Sequence, residues 1–136
     1  MLLYPKKIKY KKIRKGKMKF FDYKTNKIKF GSVGLKAIES GTISSRNIEA
    51  ARQSISRKIK RNGKLWVRIF PHTPMTAKSL GARMGKGKGS FQNWSTKVKG
   101  GSMLFELCGI SKNAAIKAFK TGGAKLPIKT TITYYI

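Results

Sequence analysis

The chain has 136 residues and 15.2 kDa, enough for one modest hydrophobic core and not for two. Lys and Arg number 32 against 4 Asp and Glu, a formal net charge of +28, so the compact chain repels itself unless a polyanion stays bound; nucleic acid is the first candidate. One Cys, one His and four scattered acids exclude an internal disulfide and a zinc site of ordinary composition, and the longest apolar run, Leu65 to Phe70, is too short for a membrane span and is broken by Arg68.

Residues 1–20 carry Lys6, Lys7, Lys9, Lys11, Lys12, Arg14, Lys15, Lys17 and Lys19 with no acid, and read as a basic extension with too little apolar density to bury itself. Residues 21–136 read as a single domain. Phe20 to Tyr23 and Lys27 to Phe30 are expected to pair as a hairpin across Lys24 to Asn26. Gly31, Gly34 and Gly41 then punctuate a connection towards the first helix. That helix is expected from Ser44, its N-cap, to Arg61, with Asn62-Gly63 as the stop. Ile48, Ala51, Ile55 and Ile59 recur at spacings of three and four and form its inner stripe. Arg46, Arg57, Lys60 and Arg61 project from the opposite face and Arg52 flanks the stripe, a surface suited to phosphate because Glu49 alone balances it.

Leu65 to Phe70 alternates as a strand closed by Pro71, with Trp66 expected in the core. A long loop is expected over 72–90. Within it Arg83, Met84, Gly85, Lys86, Gly87, Lys88 and Gly89 show no hydrophobic period; the glycines let backbone N–H groups approach a ligand and the cations supply charge. Neither the Walker pattern nor the dinucleotide fingerprint fits this tract, since no Gly lies five positions before Gly85 or Gly87 and Ser90 replaces the third glycine. A mononucleotide site is therefore disfavoured against an RNA-contacting loop.

Trp94 to Val98, Gly100-Gly101 and Met103 to Leu107 are expected to make a second hairpin. Ser111 should cap a second helix with Ala115, Ile116 and Phe119 inside, Lys112, Lys117 and Lys120 outside, and Gly122-Gly123 as its stop. Ile128 to Tyr135 alternates as a last strand. Without regular strand–helix–strand order the fold class is α+β, a small mixed or antiparallel sheet with hairpins and two helices packed on it. Cys108 reads as a small buried hydrophobe and His72 as a loop imidazole. No catalytic residue, metal or cofactor is expected; a membrane-surface protein and an RNA-processing enzyme using His72 as base are the competing classes.

Two segments resemble the large-subunit ribosomal protein L-sixteen family: Lys60-Arg61-Asn62-Gly63-Lys64-Leu65-Trp66-Val67-Arg68-Ile69-Phe70-Pro71, and Arg83 to Gly89 followed after four residues by Trp94. Tyr4-Pro5-Lys6-Lys7, Ile48 to Arg52, Leu104-Phe105-Glu106 and Ala124 to Thr130 are also similar, and the match is weakest at Met18 to Asn26 and Ser90 to Gly101. The resemblance implies a structural constituent of the large ribosomal subunit that lies on rRNA beside the aminoacyl-tRNA site and joins late in assembly. It implies neighbouring ribosomal proteins as partners, no membrane and no homo-oligomer. Lys6, Lys7, Lys9, Lys11, Lys12, Arg14, Lys15, Arg46, Arg52, Arg57, Lys60, Arg61, Lys64 and Arg68 are the expected rRNA contacts. Arg83 to Gly89 is the expected loop near the tRNA and the peptidyl-transferase centre. Tyr10, Tyr23 and Trp94 are available to stack on unpaired bases. With 25 Lys against 7 Arg, the bias of an AT-rich genome, and a family-like start at Met1, a mitochondrial ribosome is expected, with a plastid or a bacterial cytoplasm as alternatives.

Overall fold

A computed structural model describes residues 3–18 and 21–135. Its elements in chain order are β1 (Val33–Ala37), β2 (Gly41–Ser44), α1 (Ser45–Lys58), β3 (Lys64–Val67), β4 (Thr73–Ala77), β5 (Ser90–Val98), β6 (Met103–Cys108), α2 (Lys112–Gly123) and β7 (Thr130–Tyr134). The class is α+β, as the sequence pattern required, but there are two antiparallel sheets where one was expected. The first has the order β3-β6-β1-β7 and the second β2-β5-β4.

The second expected hairpin does not form. β5 and β6 flank Gly100-Gly101 yet enter different sheets: β5 pairs with β2 and β4, and β6 pairs with β1 and β3. The reason lies in their burial. Met103 to Leu107 is buried on both faces, which suits the interior of the first sheet, whereas β5 begins exposed at Ser90, Phe91 and Gln92. The glycine pair is where the chain crosses between sheets. Gly101 has φ +90, and a Cβ there would strike the Phe21 ring. Gly100 accepts from the Asp22 N–H at 2.9 Å and Gly101 donates to the Ala37 carbonyl at 2.7 Å.

The first expected hairpin is also absent. Phe20 lies outside the described residues, and 21–30 forms no strand. Its backbone groups are claimed by side chains instead. Asp22 accepts from the Lys24 and Thr25 N–H groups and from the hydroxyls of Thr25 and Ser102; these bonds, the Thr25 hydroxyl first, hold its carboxyl down at about 2. Lys29, Phe30 and Gly31 donate their N–H groups to Glu106. A ladder partner would have to compete with these bonds.

Helix α1 begins as expected, with the Ser44 hydroxyl accepting from the Asn47 N–H at 3.2 Å. It stops at Lys58 rather than Arg61, because Lys60 and Arg61 turn left-handed with φ 51 and 63. Ile48, Ala51, Ile55 and Ile59 are all buried in the core. In α2 the glycine pair is not a stop: Gly122 and Gly123 lie inside the helix, and Ala124 caps it. A Cβ on Gly122 would collide with Ile55, so the glycine sets how closely α1 and α2 approach. Ile116 is half-buried, and Ala118 completes the inner face beside Ala115 and Phe119.

One core joins the sheets and helices: Leu35, Phe105 and Leu107 from the first sheet, Ile43 and Val98 from the second, and the inner stripes of α1 and α2. α1 packs on α2, β2 and β5, and α2 packs on β1 and β7. Leu3 also reaches this core, against the expectation that the extension buries nothing. Trp66 is half-buried rather than core, because Leu65 and Val67 take the inward positions of β3. Cys108, the last residue of β6, is half-buried with a free thiol.

Candidate nucleic-acid interface

Part of the expected long loop is strand. Thr73 to Ala77 forms β4, the edge of the second sheet, where Pro74 is tolerated because an edge strand leaves one side without ladder bonds. The loop proper is 78–89, between β4 and β5. Every residue from Lys78 to Lys88 is exposed. Gly81, Gly85 and Gly87 have φ of 81, 93 and 78, and Lys86 adopts φ 53 between two of them. A Cβ at those three glycines would meet nothing within 4 Å, so backbone conformation and not crowding selects glycine there. Gly89 is the opposite case: a Cβ would strike the Ala77 carbonyl where the two legs of the loop pass.

Lys78 ties the loop to itself, its Nζ donating to the Gly85 carbonyl at 2.6 Å. The tip encloses a 440 Å3 recess lined by Lys78, Arg83, Met84, Lys86 and Lys88 among others. Met84 and Leu80 carry their apolar side chains almost wholly in solvent. These apolar side chains stand among four cations, Lys78, Arg83, Lys86 and Lys88.

The extension runs beside this loop. Lys12 Nζ donates to the Lys88 carbonyl at 3.1 Å, and Lys88 Nζ donates to the Ile13 carbonyl at 2.5 Å. Lys6, Lys7, Lys9, Lys11, Lys12, Arg14 and Lys15 are all exposed. The two basic segments, remote in sequence, are thus brought together through one reciprocal pair of bonds. Tyr10 and Tyr23 stand exposed, whereas Trp94 is half-buried with its ring 5.0 Å from that of Phe91.

The remaining expected contacts divide. Arg46, Arg57, Lys60, Arg61 and Lys64 are exposed on and just beyond α1. Arg52 is engaged inside the helix, donating to Glu49 at 2.9 and 2.6 Å; with the Gln53 amide it holds the Glu49 carboxyl down at about 2. Arg68 is engaged by Glu106, the acid inside β6, which is buried completely. Burial alone would raise the Glu106 pKa, but the N–H groups of Phe30, Gly31 and Lys29 and the Arg68 charge outweigh it and the net shift is downward. Arg68 also lies 5.0 Å from the centre of the Phe30 ring, which stacks on Trp66 at 6.1 Å. Sequence reasoning missed this network, although a lone acid within the apolar run Leu104 to Leu107 was its signal.

His72 is exposed, its Nδ1 3.1 Å from the Phe70 carbonyl. The four acids are all engaged elsewhere: Asp22 with Thr25, Glu39 with Lys129, Glu49 with Arg52, Glu106 with Arg68. Among the described residues no group of three or more His, Cys, Asp or Glu gathers as a metal site, and no helix is long and apolar enough to cross a membrane.

Comparison with known proteins gives the family. The family described as ribosomal protein L16p/L10e matches residues 5–133. The chain is 47% identical over 131 residues to large ribosomal subunit protein uL16 of Psychrobacter cryohalolentis, covering 96% of each chain. It is 48% identical over 132 residues to that of Blochmanniella pennsylvanica, covering 97% of this chain and 98% of the relative. Against that of Treponema pallidum it is 46% identical over 130 residues, covering 96% and 94%. A match over almost the whole length, on a fold whose exposed surface is cationic and whose acids are spent internally, makes this chain a member of the ribosomal protein L16p/L10e family, a structural protein of the ribosome and not an enzyme.

Proposed function

We propose that this protein is a structural constituent of the large ribosomal subunit, that its basic extension and helix face dock on rRNA, and that its glycine-basic loop reaches towards the aminoacyl-site tRNA and the peptidyl-transferase centre. The observation that carries the reading is the loop itself, twelve residues at 78–89 with left-handed backbone at four positions, the cations Arg83, Lys86 and Lys88, and the uncovered side chains of Leu80 and Met84. Such a segment has no use to this chain alone. Docking replaces condensed counterions on RNA, so affinity falls with salt by a log–log slope of about 0.7 to 0.9 per phosphate engaged. The working rRNA contacts are Lys6, Lys7, Lys9, Lys11, Lys12, Arg14, Lys15, Arg46, Arg57, Lys60, Arg61 and Lys64; Arg52 and Arg68 contribute less, since each already holds a carboxylate.

The division of labour is testable. Subunits assembled with Arg83→Ala or Lys86→Ala should form but accept aminoacyl-tRNA slowly, whereas neutralising Lys6, Lys7, Lys11 and Lys12 together should impair incorporation and leave subunits stalled late in assembly. Normal tRNA accommodation in the loop variants would refute the loop assignment. The lysine bias, 25 Lys to 7 Arg, supports a mitochondrial ribosome as the setting, and the bacterial sources of the relatives support a bacterial cytoplasm. Cell fractionation, followed by probing organelle and cytosolic ribosomes for the chain, decides between them.

A further inference from the structure

A second site lies outside the loop and the extension, at the far end of the first sheet. Asn26, Lys27 and Ile28 on one side and Thr133, Tyr134 and Tyr135 on the other enclose a cleft of 530 Å3. Ile28 is its buried floor; it covers Gly34, which has no room for a Cβ because Ile28 and Met103 lie there. Strand alternation sorts the tyrosines. Thr133 pairs with Gly34 across the sheet, so Thr133 and Tyr135 face the side covered by Ile28, while Tyr134 faces α2, where Lys112 Nζ sits 4.3 Å from its ring centre. The backbone of Tyr135 is fixed by its N–H, which donates to the Ser32 carbonyl at 2.9 Å, yet its side chain is 71% exposed.

One polar atom here has no partner. The Asn26 side-chain oxygen is the single buried side-chain N or O atom without a hydrogen bond among the described residues. An orphaned amide in a cleft wall is satisfied by a ligand edge once it rotates about its last torsion. No acid lines the cleft, and Lys27 stands exposed at its rim.

We infer that this cleft receives one unpaired nucleotide of the large-subunit rRNA, its base stacked on Tyr135, its edge paired with the Asn26 amide and its phosphate beside Lys27. The flat exposed ring supplies sequence-tolerant stacking, and an Asn amide offers the donor and acceptor that a base edge presents in return. The inference rests on the rRNA-docking reading and adds a base-specific contact to it, one of whose residues, Asn26, ends a stretch where the family resemblance is weakest.

The test is chemical probing of rRNA in subunits carrying the full-length wild type, Tyr135→Leu, Tyr135→Phe or Asn26→Ala. One unpaired nucleotide, protected by the wild type, should become roughly ten-fold more reactive with Tyr135→Leu, the change that loss of one stacked base produces. Tyr135→Phe should keep the protection, and Asn26→Ala should expose the same nucleotide. Incorporation of every variant with an unchanged reactivity profile overturns the inference, as does a crosslink from position 135 to a neighbouring protein instead of RNA. Failure of the wild-type chain to enter subunits removes the docking reading and this site together.

Discussion

The two sheets differ in what they do with a buried centre. In the first, β6 is buried along five successive residues and is flanked on both sides by ladder partners, so nothing from Met103 to Leu107 is free to touch a ligand. In the second, β5 is buried only at its C-terminal half, where it meets β2 and α1; its N-terminal half is exposed, β4 beside it passes from buried Thr73 to half-buried Ala77, and the two end in the 78–89 loop. Both sheets feed the core, Ile43 and Val98 coming from the second, but only the second also extends a lever, its β4–β5 arm, beyond it. On the proposed function, stability and RNA contact fall to different residues, and substitutions should separate them.

The largest effect should come from Glu106→Ala. It leaves three backbone N–H donors and the Arg68 guanidinium facing an empty buried site, and should cost about 3–5 kcal/mol in denaturant unfolding of the full chain. Arg68→Ala should cost less, because the carboxylate retains its three N–H donors. A cost for Glu106→Ala below that of an ordinary surface change would mean the buried centre of the first sheet does not carry stability.

Two other carboxylates set an acid limit. Asp22 lies at about 2 against its ordinary 3.8, and Glu49 at about 2 against 4.5. A carboxyl depressed on folding adds stability that is complete above its unfolded pKa and is lost as pH falls towards the folded one. Melting temperature should therefore be flat above about pH 5 and drop between 4.5 and 2. Asp22→Asn should remove part of that slope by detaching the 22–25 turn from Ser102.

Gly122→Ala tests the next contact inward. Its added methyl meets Ile55 at the helix crossing, so the helices must separate, at about 1–3 kcal/mol. Helix propensity alone favours Ala by about 1 kcal/mol. A net gain in stability would show that α1 and α2 have slack.

How much of this was legible depended on whether a partner had to be seen. The inner stripe of α1 was readable because Ile48, Ala51, Ile55 and Ile59 announce themselves by spacing alone, whereas in α2 the place expected for Ile116 is taken by Ala118. Gly122-Gly123 looked like a stop because the reason for glycine, Ile55, lies 67 residues away. β1 was missed for the same cause: Val33 to Ala37 is short, interrupted by Gly34 and buried at four of five positions, so no alternation shows. Gly100-Gly101 carries the local signature of a hairpin turn, and strand pairing, a non-local choice, is invisible in the flanking residues. The loop was readable at 78–89, where exposure and glycine leave no hydrophobic period, but its first leg, Thr73 to Ala77, is strand β4. The loop's joining to the extension was not readable, since no local pattern links Lys12 to Lys88.

Loop and core part company at Arg83 and Lys86. Both are exposed and neither carries a described bond from its side chain, so Arg83→Ala and Lys86→Ala should each leave unfolding free energy within about 0.5 kcal/mol of the original. Their effect should fall on tRNA accommodation alone. A stability loss of the size expected for Gly122→Ala would place the loop in the core's account and end the distinction.

The smallest effect lies where lever and extension meet. Lys12 and Lys88 each donate to backbone of the other segment, at 3.1 and 2.5 Å, with both side chains exposed to water. Exposed bonds of this kind contribute little to global stability, so Lys12→Ala and Lys88→Ala should scarcely move the unfolding midpoint. Amide exchange should respond instead, because loosening the clasp frees a segment that no core contact holds. Exchange at 84–89 should quicken in either single variant and quicken little further in the double, since each bond depends on the segments already being side by side. Strict additivity would mean the two lysines act separately, and that the extension does not help to aim the loop.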